Sequence, residues 1–222
     1  MVSKYKRLTL SVVIAFVIVI VVFVVGSFYD SSKISYLSQN LQTYENNINE
    51  LELATLLSST NSSFSCGVLT DSLQQIGNEM QSLGQELSES KLASSIVNYS
   101  QLNDQYTYVR VEYWLLANKI NLICGNKLVT VMFIYSTTGN NNVVEGDELS
   151  YLSFKNDSLV VSAIDGNLDL PLVSILLKSY NITNNSMPAL IINSNYVEKG
   201  YLNTSQIKNL ICKDVHCINF SS

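Results

Sequence analysis

Charge is scarce in this chain: 14% of its 222 residues are Asp, Glu, Lys or Arg, and the formal net charge is -5. Nucleic-acid binding needs a concentrated basic face, so that class of partner is excluded. There is one histidine, His216, without a catalytic constellation around it, and no serine sits in a nucleophile-elbow pattern. No glycine-rich loop of the phosphate-cradling kind is present. Thiols are limited to Cys66, Cys124, Cys212 and Cys217, and no pair of them has Cys-x-x-Cys spacing. What the chain does have in abundance is Asn, Ser and Thr, so its surface is held in water largely by neutral polar groups.

Leu8 to Val25 is almost continuously apolar and carries no charge. At about 1.5 Å per residue, and with flanking residues to Phe28, this run reaches roughly the 30 Å of a bilayer's hydrocarbon core. The pattern predicts a transmembrane helix within residues 1–29. Lys4, Lys6 and Arg7 precede it, which places the N-terminus in the cytoplasm and the rest of the chain outside, as a single-pass membrane protein. A cleaved secretory signal is the competing reading, but its apolar region is usually about 7–15 residues. Asn-x-Ser/Thr triplets begin at Asn61, Asn98, Asn156, Asn181, Asn184, Asn203 and Asn219, and chance competes with glycosylation in a chain so rich in these residues.

Residues 30–126 read as a helical segment. Ile34, Leu37, Leu41, Tyr44, Ile48 and Leu51 form one apolar stripe, and Leu69, Leu73, Ile76, Met80, Leu83 and Leu87 repeat it after a polar stretch. Two such helices pack as an antiparallel hairpin, or the stripe drives homo-oligomerisation as a coiled-coil stalk. A third helix is predicted over 106–124, ending at Gly125. Four cysteines allow three pairings, of which Cys66 with Cys124 and Cys212 with Cys217 is preferred here. The Cys212–Cys217 segment and His216 offer only three ligands, so a disulfide is favoured over zinc, and neither metal nor cofactor is expected.

Beyond residue 127, the dense apolar run Leu128 to Tyr135 predicts a strand buried on both faces. A helix over 142–152 follows, then a strand over 159–164 and a helix over 170–180 with Asp169 as N-cap. Two short strands, 189–192 and 196–199, form a hairpin, and Asn203 caps a last helix with Gln206 placed for a capping box. The acidic cluster Glu145, Asp147 and Glu148 reads as the solvated face of its helix.

This β-α-β-α-β-β-α order, with Met187-Pro188 before the hairpin, resembles the thioredoxin and disulfide-oxidoreductase superfamily. The resemblance implies an α/β fold with a thioredoxin-like core at 127–213, preceded by the helical segment and the anchor and followed by a tail at 214–222. The whole is similar to small archaeal proteins of that layout. It also implies a cis Met187–Pro188 bond facing the start of the first helix of the core. Where an active member carries its dithiol, this chain has Thr137, Thr138, Gly139, Asn140, Asn141 and Asn142. None of these forms a mixed disulfide, so dithiol exchange does not carry over and no catalytic residue is assigned. The expectation is a redox-inactive binding or scaffolding module for a protein or peptide. The alternative is a divergent thiol-disulfide oxidoreductase working through Cys212 and Cys217.

Overall fold

The computed structural model describes the backbone of residues 2–60, 65–90, 96–137 and 141–214. Three long helices come first: α1 (Val2–Thr60), α2 (Cys66–Ser90) and α3 (Ile96–Ile123). The order then alternates: β1 (Val129–Tyr135), α4 (Asn141–Lys155), β2 (Leu159–Asp165), α5 (Pro171–Ser179), β3 (Ala189–Ile192), β4 (Tyr196–Lys199) and α6 (Thr204–Asp214). A 3-10 turn, Asn184–Ser186, precedes β3.

The expected fold class is corrected on two counts. The chain is 70% helical and its strands make one small four-stranded sheet, so helices and not the sheet dominate the molecule. Among the described residues no helix is long and apolar enough to cross a membrane, so the predicted transmembrane anchor is not supported. α1 continues unbroken from Val2 through residue 29 to Thr60.

The bundle core is the meeting of the two stripes. Leu37, Leu41, Ile48 and Leu51 of α1 and Leu69, Leu73, Ile76, Met80, Leu83 and Leu87 of α2 are all buried, together with Leu102, Val109, Tyr113, Leu116 and Ile120 of α3. Homo-oligomerisation through the α1 stripe is therefore not required to cover it. Cys66 and Cys124 are disulfide-bonded, with their Cα atoms 5.6 Å apart, and join the start of α2 to the end of α3.

Two glycines of α2 explain how α3 comes so close. A Cβ on Gly77 would sit well inside van der Waals contact with the Tyr113 hydroxyl, and one on Gly84 would do the same to Tyr106. In each case the freed space lets the phenol donate to a carbonyl four residues earlier on α2. Tyr113 Oη donates to Leu73 O and Tyr106 Oη to Met80 O, both at 3.1 Å.

The sheet order is β2-β1-β3-β4, with β1 parallel to β2 and the other neighbours antiparallel. Its alternation sorts the core into two layers. Val129, Val131 and Phe133 pack with Leu149 and Leu152 of α4 and Ile207 and Ile211 of α6. Met132 and Ile134 pack on the opposite face with Val173 and Leu176 of α5 and with Val111 and Trp114 of α3. α3 thus serves both the bundle and the sheet. Polar bonds fix it there: Thr130 Oγ1 donates to Asn118 Oδ1 (2.6 Å), Leu128 N to Asn121 Oδ1 (2.8 Å) and Ser162 Oγ to the Arg110 carbonyl (2.8 Å).

Two helix starts are informative. Leu170, not Asp169, is the N-cap of α5, and no side chain caps it. Pro171 takes the first helical position, where its missing N–H leaves no donor to satisfy. At α6, Gln206 N donates to Asn203 Oδ1 and Asn203 N donates to Gln206 Oε1, both at 3.0 Å, a reciprocal capping box.

Candidate functional site

The ladder between β1 and β3 ends at the pair Ile134–Ala189, and the chain segments just beyond it form the candidate site. On the β1 side are Ser136 and Thr137; on the β3 side are Met187 and Pro188, joined by a cis peptide bond. The segment after β2 completes the cluster. Asn167 Nδ2 donates to Ser136 Oγ (2.7 Å), and Asn167 N donates to Asp165 Oδ1 (2.9 Å). Gly166 is needed for this convergence, because a Cβ there would lie 2.6 Å from Met187 Sδ and 2.9 Å from Ile134 Cγ2. Among the described residues the N–H and C=O of Met187 have no hydrogen-bond partner.

Thr137 follows Ser136 beyond the end of β1 and is exposed. Thr138, Gly139 and Asn140 lie outside the described residues, as do Asn61, His216, Cys217 and Asn219. Asn141 and Asn142 open α4, with only their backbone described. Cys212 is disulfide-bonded. Among the described residues no group of three His, Cys, Asp or Glu side chains is placed to hold a metal ion.

The electrostatics of the site do not supply a nucleophile. Burial, with Asp165 adding to it, pushes the Tyr135 hydroxyl up to about 12, so it stays protonated and neutral. Asp165 is engaged by the Asn167 amide. A serine or threonine hydroxyl needs an adjacent base to attack, and the Asn167 amide that donates to Ser136 Oγ is not one.

Three features were not found from the sequence. Glu145 was placed on a solvated face, but it is 0% exposed, and burial pushes its carboxyl up to about 7. No donor meets either of its oxygens with hydrogen-bond geometry. The nearby Leu202 backbone amide pulls the pKa down and Glu148 pushes it up. The second is Arg110, whose guanidinium lies 5.4 Å from the centre of the Tyr106 ring and whose Nε is buried without a partner. The third is a cavity of ≈620 Å³ between α2, α4 and the edge of the sheet, lined in part by Arg110, Tyr135, Ser136 and Thr137. For the α2 wall a signal existed: Gly77 and Gly84 are seven residues apart, as are Tyr106 and Tyr113.

No family model and no curated protein matches the chain. Among solved structures, a malarial protein matches with 14% identity and a TM-score of 0.33, over 39% of this chain and 97% of its own. A mutant thioredoxin from Halobacterium salinarum NRC-1 matches with 16% identity and a TM-score of 0.35, over 46% of this chain and 87% of its own. Thioredoxin is thus a distant structural neighbour, and at these scores neither match bears on activity.

Proposed function

We propose that residues 127–213 act as a thioredoxin-like binding module that is silent at the usual dithiol position and accepts an extended polypeptide beside Met187. One observation carries this reading: the Met187 N–H and C=O stand unpartnered at the end of the β1–β3 ladder. An extended segment pairs with such groups by main-chain hydrogen bonds, and side chains nearby supply selectivity. The residues near it include hydroxyls and an amide, Ser136, Thr137 and Asn167, which offer hydrogen bonds and no thiol.

Isotope-labelled full-length protein titrated with reduced, carboxymethylated insulin B chain tests the reading. Amide shifts at Met187, Ser136 and Thr137 are expected to move together and saturate. No saturable shift at these residues up to millimolar peptide would overturn it. In the same preparation, dithiothreitol-coupled reduction of insulin is expected to run at the background rate. Turnover that survives replacement of Ser136 and Thr137 but disappears with Cys212→Ser would favour the oxidoreductase reading instead.

A further inference from the structure

The register of the sheet leaves one row of backbone groups open. Val129 N donates to Ser158 O (2.7 Å), and Gly166 N donates to Tyr135 O (2.8 Å). With Val129 opposite Leu159 in a parallel ladder, the even-numbered residues of β2 turn their N–H and C=O toward β1. The odd-numbered ones turn theirs away. β2 is the edge of the sheet, and among the described residues the N–H and C=O of Val161 and Ala163 have no hydrogen-bond partner. Both residues line the ≈620 Å³ cavity, so the open edge faces a space and not a packed neighbour.

We propose that this cavity takes an extended peptide strand of a partner protein, added to β2 alongside Val161 and Ala163. The opposite wall fits a strand. Gln74, Asn78 and Gln81 line it from α2; seven residues of helix span about 10 Å, roughly the length of three residues of strand. Their neutral amides offer donors and acceptors to the outer edge of an added strand, as the β2 backbone does to its inner edge. Gln74 Nε2 already donates to the Asp157 carbonyl at the approach to β2, so an α2 amide reaches strand backbone from this wall.

The remaining surfaces set the chemistry of the strand. Phe154 and Val143 of α4 line the cavity while 79% and 67% exposed, which suits apolar side chains on one face of the incoming segment. Arg110, whose positive charge lines the cavity, provides for one acidic side chain. Asp147 and Asp157 line the same space, so an acidic tract is disfavoured. The cavity adjoins the Met187 turn, since Ser136 and Thr137 also line it, but the strand added at Val161 and Ala163 does not depend on the reading given for that turn.

The probe is a fluorescein-labelled, acetylated and amidated heptapeptide of alternating valine and threonine with a central glutamate, titrated into the full-length protein. Saturable binding is expected, weakened at least tenfold by Val161→Pro. That substitution removes an N–H facing away from β1, which an edge strand tolerates. Ser150→Trp, which fills the cavity from α4 without touching the β2 backbone, should weaken binding similarly. Arg110→Met should lower affinity for this peptide and not for its glutamine counterpart. Both Val161→Pro and Ser150→Trp should leave far-ultraviolet circular dichroism and the insulin B-chain shifts at Met187 unchanged, which separates this site from the turn. Unchanged affinity in both variants, no saturable binding by the parent, or sedimentation showing that the β2 edge instead pairs two copies of this chain would each overturn the proposal.

Discussion

Glu145 carries a pH dependence that its place in the chain conceals. Its carboxyl is raised to about 7 in the folded protein, chiefly by burial, against about 4.5 when exposed. Between those values the folded state holds a proton that the unfolded state has released, so stability falls as pH rises from about 4.5 to 7 and levels off above. Glu145→Gln should flatten that slope and stabilise the protein at pH 8 by on the order of 2–3 kcal/mol. Urea midpoints at pH 5 and pH 8 read both effects, and parallel slopes in parent and variant would refute the assignment. Gly77 makes an equally local prediction with a contrary sign to helix propensity. Alanine should gain about 1 kcal/mol in a helix interior, but its Cβ would displace buried Tyr113 and its bond to Leu73 O. Overpacking costs about 1–3 kcal/mol and the lost bond about 1 kcal/mol. Gly77→Ala should therefore lower stability in thermal unfolding, whereas Gly67→Ala, at the first turn of α2 with only Ser65 Oγ nearby, should not.

At the scale of elements, the stripes were legible because burial on one side of a helix leaves a period in the sequence. Leu37, Leu41, Ile48 and Leu51 carry that period, and each is buried. The capping box at Asn203 and Gln206 was equally readable, since it is written in two residues three apart. Glu145 was not, because it sits among acids of the same helix while Asp147 stays exposed, and only long-range packing, with the Leu202 backbone nearby, decides which of them loses water. The α5 start went astray for a related reason: Asp169 has the right chemistry for a cap, but Pro171 fixes the first turn. The length of α1 was invisible because nothing near residue 29 breaks a helix. The Cys66–Cys124 bond closes a separation of 58 residues between α2 and α3. Replacing both cysteines with serine should lower the unfolding free energy by about 2–4 kcal/mol. Equilibrium denaturation followed by circular dichroism checks this, and a loss under about 1 kcal/mol would mean the two helix ends are already held together without the bond.

For the whole molecule, the decisive element is α3, which buries Tyr113 in the bundle and Trp114 against the sheet in adjacent positions. Neither core is complete without it. The bundle lacks its third wall if α3 leaves, and the sheet loses the cover over Met132 and Ile134. Thr130, Asn118 and Ser162 add polar bonds that break only when helix and sheet part. Bundle and sheet should consequently unfold in one cooperative step, in contrast to a stalk and a domain that melt separately. The single tryptophan makes this measurable. Trp114 fluorescence reports the sheet side, whereas far-ultraviolet circular dichroism is dominated by the long helices. The two urea transitions should superimpose. Leu73→Ala, placed wholly in the bundle core, should cost about 2–5 kcal/mol and shift the Trp114 transition by as much as the helical one. A fluorescence midpoint that stays in place while the helical signal moves would show that α3 does not couple the two cores.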